Sequence, residues 1–162
     1  MVEVREINDI QELDAYRLLW NSLLPQTANG TFFQSLDWLE CYWKHFGAAQ
    51  RLRTLLIYDG HDKPVGILPL VVRSEPSHIG AVSVLTYPLH DWGSFYGPIG
   101  PNPTATLLTG LRHIDQPATR GRRTTRDREL ISGRIWAPTD DAAGMVLAGD
   151  EARLTVFERV LR

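Results

Sequence analysis

The chain has 162 residues, 43% of them apolar and 22% charged, with a single cysteine and a formal net charge of −2. A chain of this length buries about 70% of its unfolded surface without covalent staples, so one hydrophobic core is expected. The lone Cys41 excludes an internal disulfide framework and a cysteine-based zinc cluster, and the near-neutral charge disfavours a wholesale nucleic-acid binder.

In chain order, Val2, Val4 and Ile7 alternate with charges and predict a short first strand. The same opening lacks the basic patch and apolar run of a secretory leader, and no stretch reaches the roughly 18 apolar residues of a membrane span. A reduced, cytoplasmic protein is the expectation. Asn8 or Asp9 with Gln11 or Glu12 predicts a capping box, and Ile10, Leu13, Tyr16 or Arg17, Trp20 and Leu24 recur at helical spacing until Pro25. Ser35 is placed to cap a second helix, Leu36 to Phe46, bearing Trp38, Leu39, Tyr42, Trp43 and Phe46, with Cys41 expected as a small buried hydrophobe. Gly47 stands where a helix end favours a left-handed residue. Strands are predicted over Leu52–Tyr58, Val65–Arg73 and Ile79–Tyr87, the first two joined by a hairpin-like Asp59–Pro64 connection. Asn102 or Thr104 with Pro103 opens a third helix. Further strands are predicted over Leu130–Trp136 and Leu154–Val160, with a weak helix over Ala142–Leu147.

Charge is unevenly placed. Residues 1–111 carry 7 basic and 11 acidic side chains, residues 112–134 carry 7 arginines and 3 acids, and the remainder carries 3 arginines and 5 acids. From Asp115 to Gly133 only Ala118, Leu130 and Ile131 are apolar, too few to build a core. Three regions follow: a domain over 1–114, an arginine-rich loop or disordered connection over 115–129, and strands over 130–162 that could complete the sheet. The arginines Arg120–Arg128 could clamp phosphates but lack interleaved aromatics for stacking bases, so a solvated connection is the better reading. The element order predicts an α/β fold with a mixed, antiparallel-rich sheet flanked by helices.

Three segments carry a family resemblance: Phe33-Gln34-Ser35-Leu36-Asp37-Trp38-Leu39, Pro64-Val65-Gly66-Ile67-Leu68-Pro69-Leu70, and Trp92-Gly93-Ser94-Phe95-Tyr96-Gly97-Pro98-Ile99-Gly100-Pro101. Their order and spacing resemble the amino-terminal part of the CelD-like acetyltransferases of cellulose biosynthesis. Those belong with the FemAB-type aminoacyltransferases, which pair two halves of the GNAT (acyl-CoA N-acyltransferase) fold. Tyr96, Pro98, Gly100 and Pro101 match the FemAB-type Tyr-x-Pro-x-Gly-Pro pattern, while Ile99 stands where that pattern often has arginine. The resemblance runs from about Thr31 to Ile114. It implies a GNAT-like fold, incomplete without a second half or a second copy, and transfer of an acetyl or aminoacyl group to an amine or hydroxyl in envelope or exopolysaccharide metabolism. The implied partners are a small-molecule acyl donor, acetyl-CoA among them, and an acceptor. A non-catalytic half-domain that binds a glycan precursor or a partner is the alternative.

Acyl transfer needs a positioned donor, a donor group for the oxyanion and a base for the ammonium. His90 beside Asp91 is the most suggestive proton-transfer pair, with Tyr96 as a third catalytic candidate. Trp92, Phe95, Gly97, Gly100 and Asn102 are the substrate-binding candidates. GNAT enzymes are known for a Gln/Arg-x-x-Gly-x-Gly/Ala loop that receives the cofactor pyrophosphate, and the chain contains none. Its nearest analogue is Gly97–Asn102, where Pro98, Pro101 and neighbouring Pro103 lack amide hydrogens, so a rigid structural turn is the better reading. The histidines show no metal-ligand spacing, and no metal is expected.

Overall fold

A computed structural model describes residues 2–77, 80–88, 96–115 and 129–131. Among these, the chain forms a mixed α/β structure whose five strands lie in sequence order, β1 (Glu3–Ile7), β2 (Gln50–Tyr58), β3 (Pro64–Ser77), β4 (Gly80–Thr86) and β5 (Glu129–Ile131). The first four pair antiparallel, and β5 joins β4 in parallel through Ser83–Glu129, Val84–Leu130 and Leu85–Ile131. The antiparallel-rich sheet read from the sequence is thus present.

Strand alternation sorts the core into two layers. On one face Leu52, Leu56, Ile67 and Val71 pack with Trp20 and Leu23 of helix α1 (Arg17–Leu23) and Leu36 and Leu39 of helix α2 (Leu36–Phe46). On the other, Leu55, Leu68, Leu70 and Leu85 pack with Leu111 and Ile114 of helix α3 (Pro103–Asp115). Arg53 is buried on this second face and donates to both carboxylate oxygens of Glu6, at 2.8 and 2.9 Å, so the charge is neutralised where water is excluded. Arg17 ties α1 to α2 by bonding Asp37 and Glu40 together with its near neighbour Asp14, and these partners raise its pKa.

Several local expectations are corrected. The first helical segment is not one α-helix: Glu12–Tyr16 is a 3-10 turn, Tyr16 leaves helical geometry at φ −104° and ψ 8°, and only Arg17–Leu23 is α-helical. No side-chain cap forms at its start; the Asp9 carboxylate instead accepts from the Gln11 amide two residues on. Pro25 sits inside the 3-10 turn Leu24–Gln26 rather than ending the segment. Gly47 is not left-handed, with φ −72°; glycine is needed because a Cβ there would lie 2.6 Å from the Trp43 ring. Cys41 is exposed on α2, whereas Leu39 and Tyr42 are buried. Ser35 does cap α2, accepting from the Trp38 amide at 3.2 Å. The Asp59–Pro64 connection is a hairpin loop in which Asp59 accepts from the amides of His61 and Lys63, which lowers its pKa. Ala142–Leu147, Leu154–Val160 and the arginines Arg120–Arg128 lie outside the described residues. No helix among those described is long and apolar enough to cross a membrane.

Candidate functional site

The three segments that carry the resemblance meet at one corner of the sheet. Thr31 and Gln34 form a reciprocal capping box around the turn Phe32–Gln34, which fixes the buried Gln34 side chain. Its amide then donates to the carbonyl oxygens of Gly97 and Pro98, at 3.2 and 3.4 Å. The Gln34 carbonyl accepts from the indole N–H of fully buried Trp20 at 2.8 Å. Ile99 and Ile67 exchange two backbone bonds of 2.8 Å, which joins the third segment to β3. Gly100 donates its amide to Thr27 Oγ1 at 2.8 Å and adopts φ +132°, a region nearly closed to other residues.

Among the described residues, this corner coincides with an interruption of the pairing on one side of β3. Ile67 turns its amide and carbonyl toward Ile99, so by alternation Pro69 and Val71 face the same side. Val71 is the first β3 residue paired with β4, opposite Thr86. Pro69 therefore lies between the two attachments, and having no N–H it has no donor to satisfy there.

Four of the eight predicted site residues are described. Tyr96 is buried, its ring 5.4 Å from that of Tyr87, and its hydroxyl has no hydrogen-bond partner among the described residues. Burial pushes the pKa of both tyrosines up. Gly97 and Gly100 are buried backbone, and Asn102 is an exposed cap whose side-chain oxygen accepts from the Ala105 amide at 3.0 Å. His90, Asp91, Trp92 and Phe95 lie outside the described residues. Gln34, Thr27 and Trp20, which hold the corner together, were not candidates. The spacing Thr31-x-x-Gln34 was the available signal for the first of them.

Residues Pro98–Pro101 offer a pyrophosphate no free amide. Pro98 and Pro101 have no amide hydrogen, the Ile99 amide is committed to Ile67, and the Gly100 amide is committed to Thr27. Nor do the described residues contain a group of three His, Cys, Asp or Glu side chains placed for a metal. No protein-family model matches the chain, and no curated protein does.

Two predictions arise here. Tyr96→Phe removes an orphaned buried hydroxyl, so its denaturant midpoint should equal or exceed that of the parent. A clear loss of stability would show that the hydroxyl has a partner. Tyr87 and Tyr96 bind their protons more tightly folded than unfolded. Their contribution is therefore complete below about pH 10 and is lost as pH rises beyond it. Tyrosinate absorbance should lag the ordinary titration and then rise together with loss of the folded circular-dichroism signal; ionisation of every tyrosine near pH 10 with the fold intact would refute this.

Proposed function

We propose that the chain is a GNAT-like acyltransferase domain of the CelD-like or FemAB type, moving an acyl group to an amine or hydroxyl acceptor in envelope or exopolysaccharide metabolism. The observation that carries this reading is the convergence of the three resembling segments through Gln34, Ile67 and Gly97–Gly100, where the β3–β4 pairing is interrupted among the described residues. The order strand, two helices, three antiparallel strands, helix and parallel strand supports it as well. Irregular backbone at an interrupted ladder is a usual place for a ligand to meet a sheet. The acyl carrier is a coenzyme A thioester or an aminoacyl ester, and no step of the transfer is assigned to the Gly97–Asn102 turn. His90 and Asp91 are proposed to take the acceptor's proton.

The test is calorimetry and thermal melting with acetyl-CoA, followed by turnover assays on His90→Ala. Heat and a raised melting temperature, with turnover lost but binding kept in the variant, are expected. No heat and no melting shift would overturn the reading for a coenzyme A donor. The second reading, a non-catalytic domain that binds a glycan precursor or a partner, is favoured by the burial of Tyr96, Gly97 and Gly100 in structural roles. Binding of a glycan precursor without turnover would select it.

A further inference from the structure

The outer edge of the sheet offers a second kind of site. Strand β1 is terminal in the sheet order, and no strand covers it among the described residues. Its backbone directions follow from the ladder. Ile67 faces away from β2, so the Leu56–Ile67 pair is not hydrogen-bonded and Leu56 turns toward β1. Arg5, opposite Leu56, and Glu3, opposite Tyr58, therefore bond inward, and Val4 between them presents its N–H and C=O outward. The side chains of Glu3 and Arg5 lie on the opposite face from Val4 and are each about half exposed, at 47% and 48%.

We infer that β1 pairs antiparallel with β1 of a second copy of this chain, about a two-fold axis at Val4, with Glu3 of each copy opposite Arg5 of the other. Charge selects that register. Centring on Glu3 sets two glutamates opposite each other, centring on Arg5 sets two arginines together, and centring on Glu6 brings Glu3 against Asp9. Of these four registers, centring on Val4 is the one that sets opposite charges against each other. It also makes Val4–Val4 the hydrogen-bonded pair and Glu3–Arg5 the non-hydrogen-bonded pair, in which side chains approach most closely. Arg5 rests over the Tyr58 ring at 4.7 Å and bonds Glu3 through Nε, so both side chains are already ordered on that face of β1. Within β1 this register pairs only Glu3, Val4 and Arg5, so the dimer is weak and concentration-dependent.

The test is sedimentation velocity of the full chain over a concentration series. The parent is expected to shift from monomer to dimer, and Glu3→Arg or Arg5→Glu alone to weaken association about tenfold or more. The double variant Glu3→Arg/Arg5→Glu should restore it to within about threefold, because each opposite pair re-forms with reversed sign. Val4→Pro removes an outward donor without touching the β1–β2 ladder and should leave a folded monomer, checked by melting. A parent that stays monomeric at every soluble concentration overturns the inference. So does a dimer indifferent to both single charge reversals, or one that the double swap does not restore. These outcomes do not depend on acyl-donor binding, so they separate from the functional test above.

Discussion

Replacing Gly100 by alanine is expected to destabilise the protein by about 3 kcal/mol or more, among the largest single-site effects in the chain. Two costs add. The backbone there has φ +132°, which L side chains rarely adopt, and holding a non-glycine residue in so sparse a region costs roughly 1–3 kcal/mol. A Cβ would also lie 2.6 Å from the Val65 carbonyl oxygen, part of β3 and unable to yield without breaking the register of the strand. The Ile67–Ile99 exchange and the Gly100–Thr27 bond are then strained together, since all three contacts fix the same few residues. Denaturant unfolding measures the loss, with Asn102→Ala as the control two residues away, expected to cost only about 1 kcal/mol as a lost helix cap. A Gly100→Ala protein as stable as that control would mean the turn relaxes freely, and the corner would not be the rigid element described.

Trp20→Ala is the second large effect, expected at about 3–5 kcal/mol. The indole is fully buried between α1 and the sheet, and its removal leaves a cavity among Leu23, Leu36, Leu39 and Ile67. It also strips the Gln34 carbonyl of its donor, so a buried oxygen is left unpaired next to the side chain that holds Gly97 and Pro98. Trp20→Phe divides the two terms: most of the ring volume stays, the N–H goes, and about 1–3 kcal/mol should be lost. If both variants unfold at the same denaturant concentration, the hydrogen bond outweighs the cavity. If phenylalanine costs nothing, the carbonyl finds another donor and Gln34 does not depend on Trp20.

How much of this was legible depends on the range of the interactions. The strand over Val2–Ile7 and the hairpin at Asp59–Pro64 were readable because period-two alternation and turn chemistry act over two to six neighbouring residues. Ser35 was readable as a cap for the same reason. The helix expected from Ile10 to Leu24 was read less well: apolar spacing marks the buried face but does not distinguish a 3-10 turn from an α-helix, and Tyr16 breaks the ladder between them. Cys41 was misplaced because α2 is rich in aromatics on several sides, and only docking selects which side is buried.

The candidate site divides in the same way. The segments around Gln34, Ile67 and Tyr96–Pro101 were visible as patterns, yet their contact was not, because Gln34 and Gly97 are 63 residues apart in the chain. The exposure of Tyr96 could not be read either: a tyrosine in a glycine- and proline-rich loop suits a substrate groove or a core equally, and packing against Tyr87 places it in the core.

By itself, then, the sequence determined the α/β class and the order of strands and helices from β1 to α3, since these follow from local spacing and side-chain type. Only the tertiary structure decided that three separated segments form one corner, that the Ile99 and Gly100 amides are already committed, and that Val4 turns its backbone outward from β2. Those outcomes depend on register and on contacts between residues distant in the chain, and one residue of slip would reverse them.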